Sequence, residues 1–201
     1  LWGSYAALSF FVVIFLVPPF YMIITSLKTS AEISAQAGNP WLVHDPTFET
    51  YWELMTNAQF QRYFFNSVWV TAITVTLSMT IAILAAFSLS RMGFKGSQVL
   101  STGVFLTYLV PPTLLFLPLA RVVADLGLQN SMWSLVLIYP TFTIPFCNWL
   151  LLGFFKELPP EIEEAAIVAG CSLFGAFSTL ALPLSLPGIM TVVRFTVPLK
   201  L

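Results

Sequence analysis

Charge is what this chain has least of. Lysine, arginine, aspartate and glutamate together make up 8% of its 201 residues, against about 25% in a soluble domain. So little polar surface cannot face water all round, and much of the chain must have lipid as its solvent. The net charge of −1 gives no reason to expect nucleic acid as a partner. There is one histidine, His44, alone in a polar stretch, so no metal site can be built around it. The two cysteines, Cys147 and Cys171, fall in an apolar run and in a polar loop. They are expected at different depths, without a disulfide and with packing roles. The phosphate-cradling pattern G-x-x-x-x-G-K-[ST] does not occur, so no ATP chemistry is expected on this chain. A membrane enzyme would need a nucleophile and base or a metal cluster, and the composition offers neither.

Apolar residues make up the balance, at 58% of the chain with a mean hydropathy of +0.87. Runs of about 20 apolar residues cross a bilayer as helices. The expected fold is an all-α polytopic membrane helix bundle, one transmembrane domain over 1–201, with spans at 2–24, 66–89, 99–119, 132–155 and from 184–193 onward. Pro18-Pro19 is expected to kink the first span, Pro111-Pro112 and Pro118 to interrupt the third, and Pro140 and Pro145 to break the fourth. The third span closes at Arg121, Asp125 and the turn 127–130. Residues 28–63 read as an outer loop lying against the membrane surface, with Trp41, Tyr51, Trp52, Phe60, Tyr63 and Phe64 as a headgroup-level aromatic layer. Within it 47–54 is expected to be a short helix capped by Thr47 or Asp45. The turn 90–96 carries Arg91 and Lys95 and no acid. Short basic loops prefer the cytoplasm, which places the loop 157–183 inside as well.

That second loop, ELPPEIEEAAIVAGCSLFGAFSTLALP, is the organising stretch. Glu157, Glu161, Glu163 and Glu164 supply four of the nine carboxylates. Pro160 suits a first helical position, where its missing N–H is not needed. The acids then fall where the helix dipole favours them. Ala165, Ala166 and Ala169 are small residues expected on one side, and Gly170 is a natural stop. Ser172 is a candidate N-cap for a second short helix with Leu173, Phe174, Phe177 and Leu180 as its apolar stripe, running into Pro183.

This pattern resembles the cytoplasmic "EAA" loop of the membrane-spanning subunits of bacterial binding-protein-dependent ABC importers: E-A-A, three residues, G, nine residues, I-x-L-P. Glu164-Ala165-Ala166, Gly170 and Leu180-Ala181-Leu182-Pro183 match in spacing, with Leu180 in the isoleucine position. The sugar-importer branch commonly has Asp before the glycine, where this chain has Ala169, so no role of that carboxylate carries over. Ser26-Leu27-Lys28-Thr29, Asn66-Ser67, Arg91-x-x-Phe94-Lys95-Gly96, Leu126-Gly127-Leu128 and Gly153-Phe154-Phe155 are similar to the sugar-permease branch, to which the smaller permeases of maltose importers belong.

The resemblance implies a multi-pass subunit of the bacterial plasma (inner) membrane that forms part of a solute path, the solute being a carbohydrate. It implies a second permease subunit, two cytoplasmic ATPase subunits that carry ATP and Mg, and an external solute-binding protein as partners. Coupling to the ATPase falls to Glu161, Glu164, Ala165, Ala166, Gly170, Leu182 and Pro183, with 157–183 as the coupling loop. Pro111, Pro112 and Asn148 are candidates for the substrate path, since broken helices often flank transporter sites. Packing kinks and an interhelical hydrogen bond are their plainer readings. An uncoupled channel or secondary carrier is the alternative, although no ionisable residue lies mid-span. Intact members of the family have six spans. Here Arg194 to Leu201 follows the start of the fifth almost at once, Thr196-Val197-Pro198-Leu199 is similar to a later outer loop, and the first residue is Leu1 rather than Met. The chain is therefore expected to be incomplete at both ends, a truncated or gapped version of a longer protein.

Overall fold

The computed structural model describes residues 2–35 and 39–198. The last three positions of the expected terminal motif, Leu199 to Leu201, lie outside them. No strand occurs among the described residues. The helices are α1 (Trp2–Ser26), α2 (Ser30–Ala35), α3 (Glu49–Thr56), α4 (Ala58–Arg91), α5 (Ser97–Tyr108), α6 (Pro112–Asp125), α7 (Met132–Glu157), α8 (Glu161–Val168), α9 (Leu173–Ala176), α10 (Leu182–Leu184) and α11 (Leu186–Thr196), with a π-helical turn at Phe177–Ala181. Three helices, α1, α4 and α7, are long and apolar enough to cross a membrane. The number rises to five if the bent pair α5 and α6 and the bent pair formed by Leu173–Leu184 and α11 each count as one span.

The chain divides into two compact units, with the boundary between Phe64 and Phe65. In the first, α1 carries no Asp, Glu, Lys, Arg or His and runs unbroken through Pro18 and Pro19 to Ser26. The segment after it folds back on its end. Lys28 is buried, donates to the Pro40 carbonyl at 2.9 Å and lies 3.7 Å from Glu32. Glu32 in turn accepts the His44 N–H at 3.1 Å, and Thr47 N–H donates to the Leu27 carbonyl. Tyr21 meets Trp41 edge-on at 5.4 Å, and the Ser26 and Tyr51 hydroxyls lie 2.6 Å apart. The short helix begins at Glu49 with Phe48 in the cap position, so neither Thr47 nor Asp45 caps it. Thr47 instead accepts the Glu49 N–H in a local turn.

The second unit is built on α4, α7 and α11. Val75, Met79, Ala82, Ala86 and Phe87 of α4 pack with Cys147, Leu151, Leu152 and Phe155 of α7 and with Phe177, Ala181, Ile189 and Val192. Ala82, Ala86 and Ala181 are fully enclosed. Small side chains let backbones approach, which is how helices associate where lipid removes the hydrophobic drive between them. Gly188 shows the same economy. A Cβ there would lie 2.6 Å from the Phe154 ring, so only hydrogen fits between α11 and α7.

The prolines act differently from the sequence expectation in three places. Pro140 and Pro145 do not break α7, which runs from Met132 to Glu157 with both rings buried among its neighbours. Pro118 likewise lies inside α6. Pro111-Pro112 does interrupt, and more sharply than a kink: α5 and α6 meet at 95°. Pro111 is extended, as the residue before a proline prefers to be, and Pro112 starts the next helix. The turn at the end of α6 forms as expected, with Gly127 and Asn130 at positive φ and Ser131 capping α7.

Pro183 does not end its helix either. Leu182 N–H reaches back to the Phe177 carbonyl across the π turn, and the segment continues to Leu184. It bends by 68° at Ser185 and continues as α11. The second short helix and the expected fifth span are thus one bent rod. Ser178 and Thr179 hydroxyls both donate to the Gly175 carbonyl, and the Ser185 hydroxyl and N–H both donate to the Ala181 carbonyl.

Candidate functional site

Three acids open α8, Glu161, Glu163 and Glu164, and they divide by side. Glu161, Glu164, Ala165 and Val168 recur at i, i+3, i+4 and i+7, so they share one face, and all four are exposed. Val168 is 88% exposed. Glu163 and Ala166 lie on the opposite face and are buried. The three alanines are therefore not on one side: Ala166 packs inward, while Ala165 and Ala169 face out. Pro160 is the cap residue and the helix begins at Glu161, one residue later than expected. Pro160 still does what the sequence asks of it, since its carbonyl accepts the N–H groups of Glu163 and Glu164.

The far end closes in a Schellman turn. Cys171 N–H donates to the Ala166 carbonyl and Gly170 N–H to Ile167, with Gly170 at φ +94°. Nothing crowds Gly170, so the glycine is there for its backbone angle alone. Ser172 then caps α9 by accepting the Gly175 N–H at 3.1 Å. The expected apolar stripe of this second arm is only partly right. Phe177 is buried, with its ring 4.5 Å from Phe87, and Leu180 is half-buried. Leu173 and Phe174 face outward, Phe174 at 69%. A π turn from Phe177 to Ala181 follows, which a count at 3.6 residues per turn does not anticipate. Leu182 packs against the core beneath the hairpin and Pro183 is exposed.

Arg91 joins this hairpin to the rest of the unit. It is the last residue of α4. Its guanidinium donates to the carbonyl of Leu158, the C-cap of α7, and its Nε lies 3.2 Å from Glu163 Oε1. The Nε proton is not well aimed at that oxygen, so the contact is an ion pair by distance rather than a directed hydrogen bond. Both side chains are about 10% exposed. Breaking a pair so enclosed by removing one partner costs about 3 kcal/mol, since a buried charge is left uncompensated. The pair also places the turn 90–96 and the loop 157–170 at the same end of the bundle, as the sequence required. Neither Arg91 nor Glu163 was a candidate site residue. The signal was present: Glu163 shares a helical face with Ala166, and an acid on an inward face needs a cation.

Of the three substrate-path candidates, Pro111 and Pro112 stand at the corner between α5 and α6 and Asn148 lies in α7. Pro112 borders a cleft of ≈ 260 Å³ with Phe116, Leu119, Ala120, Ile138 and Phe142, an apolar lining with no donor for a sugar hydroxyl. Pro111 is exposed. Asn148 is buried in α7 at 2% and is not part of that lining. Cys147 and Cys171 form no disulfide with each other; the first is buried, with its Sγ 3.4 Å from the Thr196 hydroxyl, and the second is exposed.

An apolar helix bundle whose one end carries a short acidic helix on a glycine turn defines a class: a polytopic membrane protein with a short polar helix between two of its apolar segments. Residues 78–199 match the family described as the binding-protein-dependent transport system inner membrane component, and the chain belongs to that family. It is 31% identical over 176 residues to the sulfoquinovosyl glycerol transport system permease SmoH of Agrobacterium fabrum, covering 88% of this chain and 61% of that one. It is 34% identical over 179 residues to the diacetylchitobiose uptake permease DasC of Streptomyces coelicolor, covering 89% and 64%. With the trehalose/maltose transport permease MalG of Thermococcus litoralis it shares 30% identity over 181 residues, covering 89% and 64%. The chain thus spans about three fifths of the length of these relatives. Among solved structures, a bacterial ABC transporter that imports the acidic polysaccharide alginate has a chain that superposes with a TM-score of 0.81. Identity is 20%, over 98% of this chain and 69% of that one, so the likeness is one of fold.

Proposed function

We propose that this chain is part of the membrane-spanning subunit of an ABC importer, that it forms one wall of the path for a carbohydrate, and that α8 is its coupling helix. The observation that supports this best is the outward face of α8. Glu161, Glu164, Ala165 and Val168 are all exposed on it, at the end of an otherwise apolar bundle. The small Ala165 and the compact apolar Val168 suit close entry into a cleft on a cytoplasmic ATPase subunit, with Glu164 as the polar contact. Gly170 supplies the turn, and Leu182 and Pro183 join the hairpin to the spans. ATP hydrolysis, with its Mg, belongs to that partner. A second permease and an external binding protein complete the assembly. Motion of the ATPase subunits rocks the spans between inward-open and outward-open states. Carbohydrate as solute rests on the three named relatives, whose transport names are all of sugars or sugar derivatives.

The test is Glu164→Lys in the full-length subunit. Sugar uptake should be lost while the subunit stays in the membrane. Uptake at the wild-type rate would refute the reading. Uptake that survives ATP depletion and follows the proton gradient would favour a secondary carrier instead.

A further inference from the structure

Of the three acids in the first turn of α8, two face outward and one is turned in against a cation from another helix. We infer that Arg91 is a positioning residue that gears α8 to α4 and α7, so that displacement of α8 is carried into the spans through the Arg91–Glu163 pair. The inference rests on the reading of α8 as a coupling helix.

Arg91 meets three helices with one side chain. It ends the 34-residue α4, donates to the C-cap carbonyl of α7 and pairs with the first turn of α8. A planar guanidinium can serve a carbonyl and a carboxylate at once, which an ammonium does less well. Directly below it, one turn back on α4, Phe87 repeats the arrangement in apolar form. Its ring lies 5.8 Å from Phe155 of α7 and 4.5 Å from Phe177 in the π turn. The hairpin is therefore held to α4 and α7 at two levels. The upper level is the one that reaches α8 itself. No side chain caps the α8 N-terminus, and within its first turn the Glu163 carboxylate makes the side-chain tie to α4. A load on the outward face at Glu164 passes to the neighbouring residue Glu163 and from there to Arg91.

The test uses the complete importer in proteoliposomes, with both permeases, the ATPase subunits and the binding protein. Full-length Arg91→Gln, Glu163→Gln and the double variant are compared for ATP hydrolysed per sugar moved and for ATPase subunits retained. Each single substitution should raise ATP spent per sugar about tenfold with the ATPase subunits still bound, within the range seen for residues along a coupling network. The double variant should be no worse than the poorer single, because the two act as one link. A wild-type ratio in both singles, losses that multiply in the double, or a loss of assembled complex at an unchanged ratio would each overturn the inference. Wild-type coupling in Glu164→Lys would instead overturn the reading of α8, and Arg91 would have nothing to transmit.

Discussion

Replacing Gly188 with Ala puts a methyl carbon 2.6 Å from Cγ of Phe154 and 2.8 and 2.9 Å from the two Cδ atoms. Carbons pack at about 3.5–4.0 Å, so ring and helix must separate by roughly 1 Å. Cγ is the root of the ring, and no rotation about the ring axis moves it away. Either Phe154 changes χ1 or α11 lifts off α7, and α11 is held by the buried Ile189 and Val192. Overpacking of this kind costs about 1–3 kcal/mol. For a chain of this size that is about 2–4 °C per kcal/mol of unfolding midpoint. The protein carries its own reporter: Cys147 is buried and Cys171 exposed. In a Cys171→Ser background, a thiol-reactive dye in detergent follows the unmasking of Cys147 as the core opens. The midpoint should fall for Gly188→Ala, and the effect of the added methyl should nearly vanish when Phe154 is also replaced by Ala. An unchanged midpoint would refute the reasoning, as would the same loss with and without the Phe154 ring.

Gly170→Ala should lower the midpoint by the strain of its φ of +94°, about 1–2 kcal/mol, whereas Gly153→Ala, in an uncrowded helical position, should cost nothing in the same assay. Phe177→Ala should lose about 3–5 kcal/mol for an enclosed ring, whereas Phe174→Ala, at an exposed ring, should leave the midpoint nearly unchanged. A membrane-impermeant maleimide should label Cys171 in inverted vesicles and not in right-side-out ones, with Cys147 unlabelled in both; the reverse pattern would invert the topology.

The long helices were legible because lipid imposes a simple rule, and α1, α4 and α7 obey it as unbroken apolar runs. The glycine turn, the Ser172 cap and the corner at Pro111-Pro112 were legible because each depends on one or two adjacent residues. What escaped depends on partners distant in sequence. Whether a proline such as Pro140 or Pro145 breaks a helix is decided by whether neighbours hold it, and both rings are buried. Leu173 and Phe174 share a helical face with Phe177 and read as one apolar stripe, but only Phe177 meets a ring from α4. Arg91 and Glu163 are 72 positions apart in the chain, and only folding shows that the inward acid of α8 finds the cation at the end of α4.

The bend at Ser185 has a consequence for how the rod can move in an oil-like medium. Bending a helix in water is inexpensive because solvent accepts whatever backbone groups are released; in hydrocarbon each released group costs several kcal/mol. Here the Ser185 hydroxyl and N–H share the Ala181 carbonyl, and Ser178 and Thr179 both hold Gly175. These hydroxyls travel with the backbone they serve. They keep the Ala181 and Gly175 carbonyls paired, so a small change of the bend need not turn these two acceptors bare to the acyl chains.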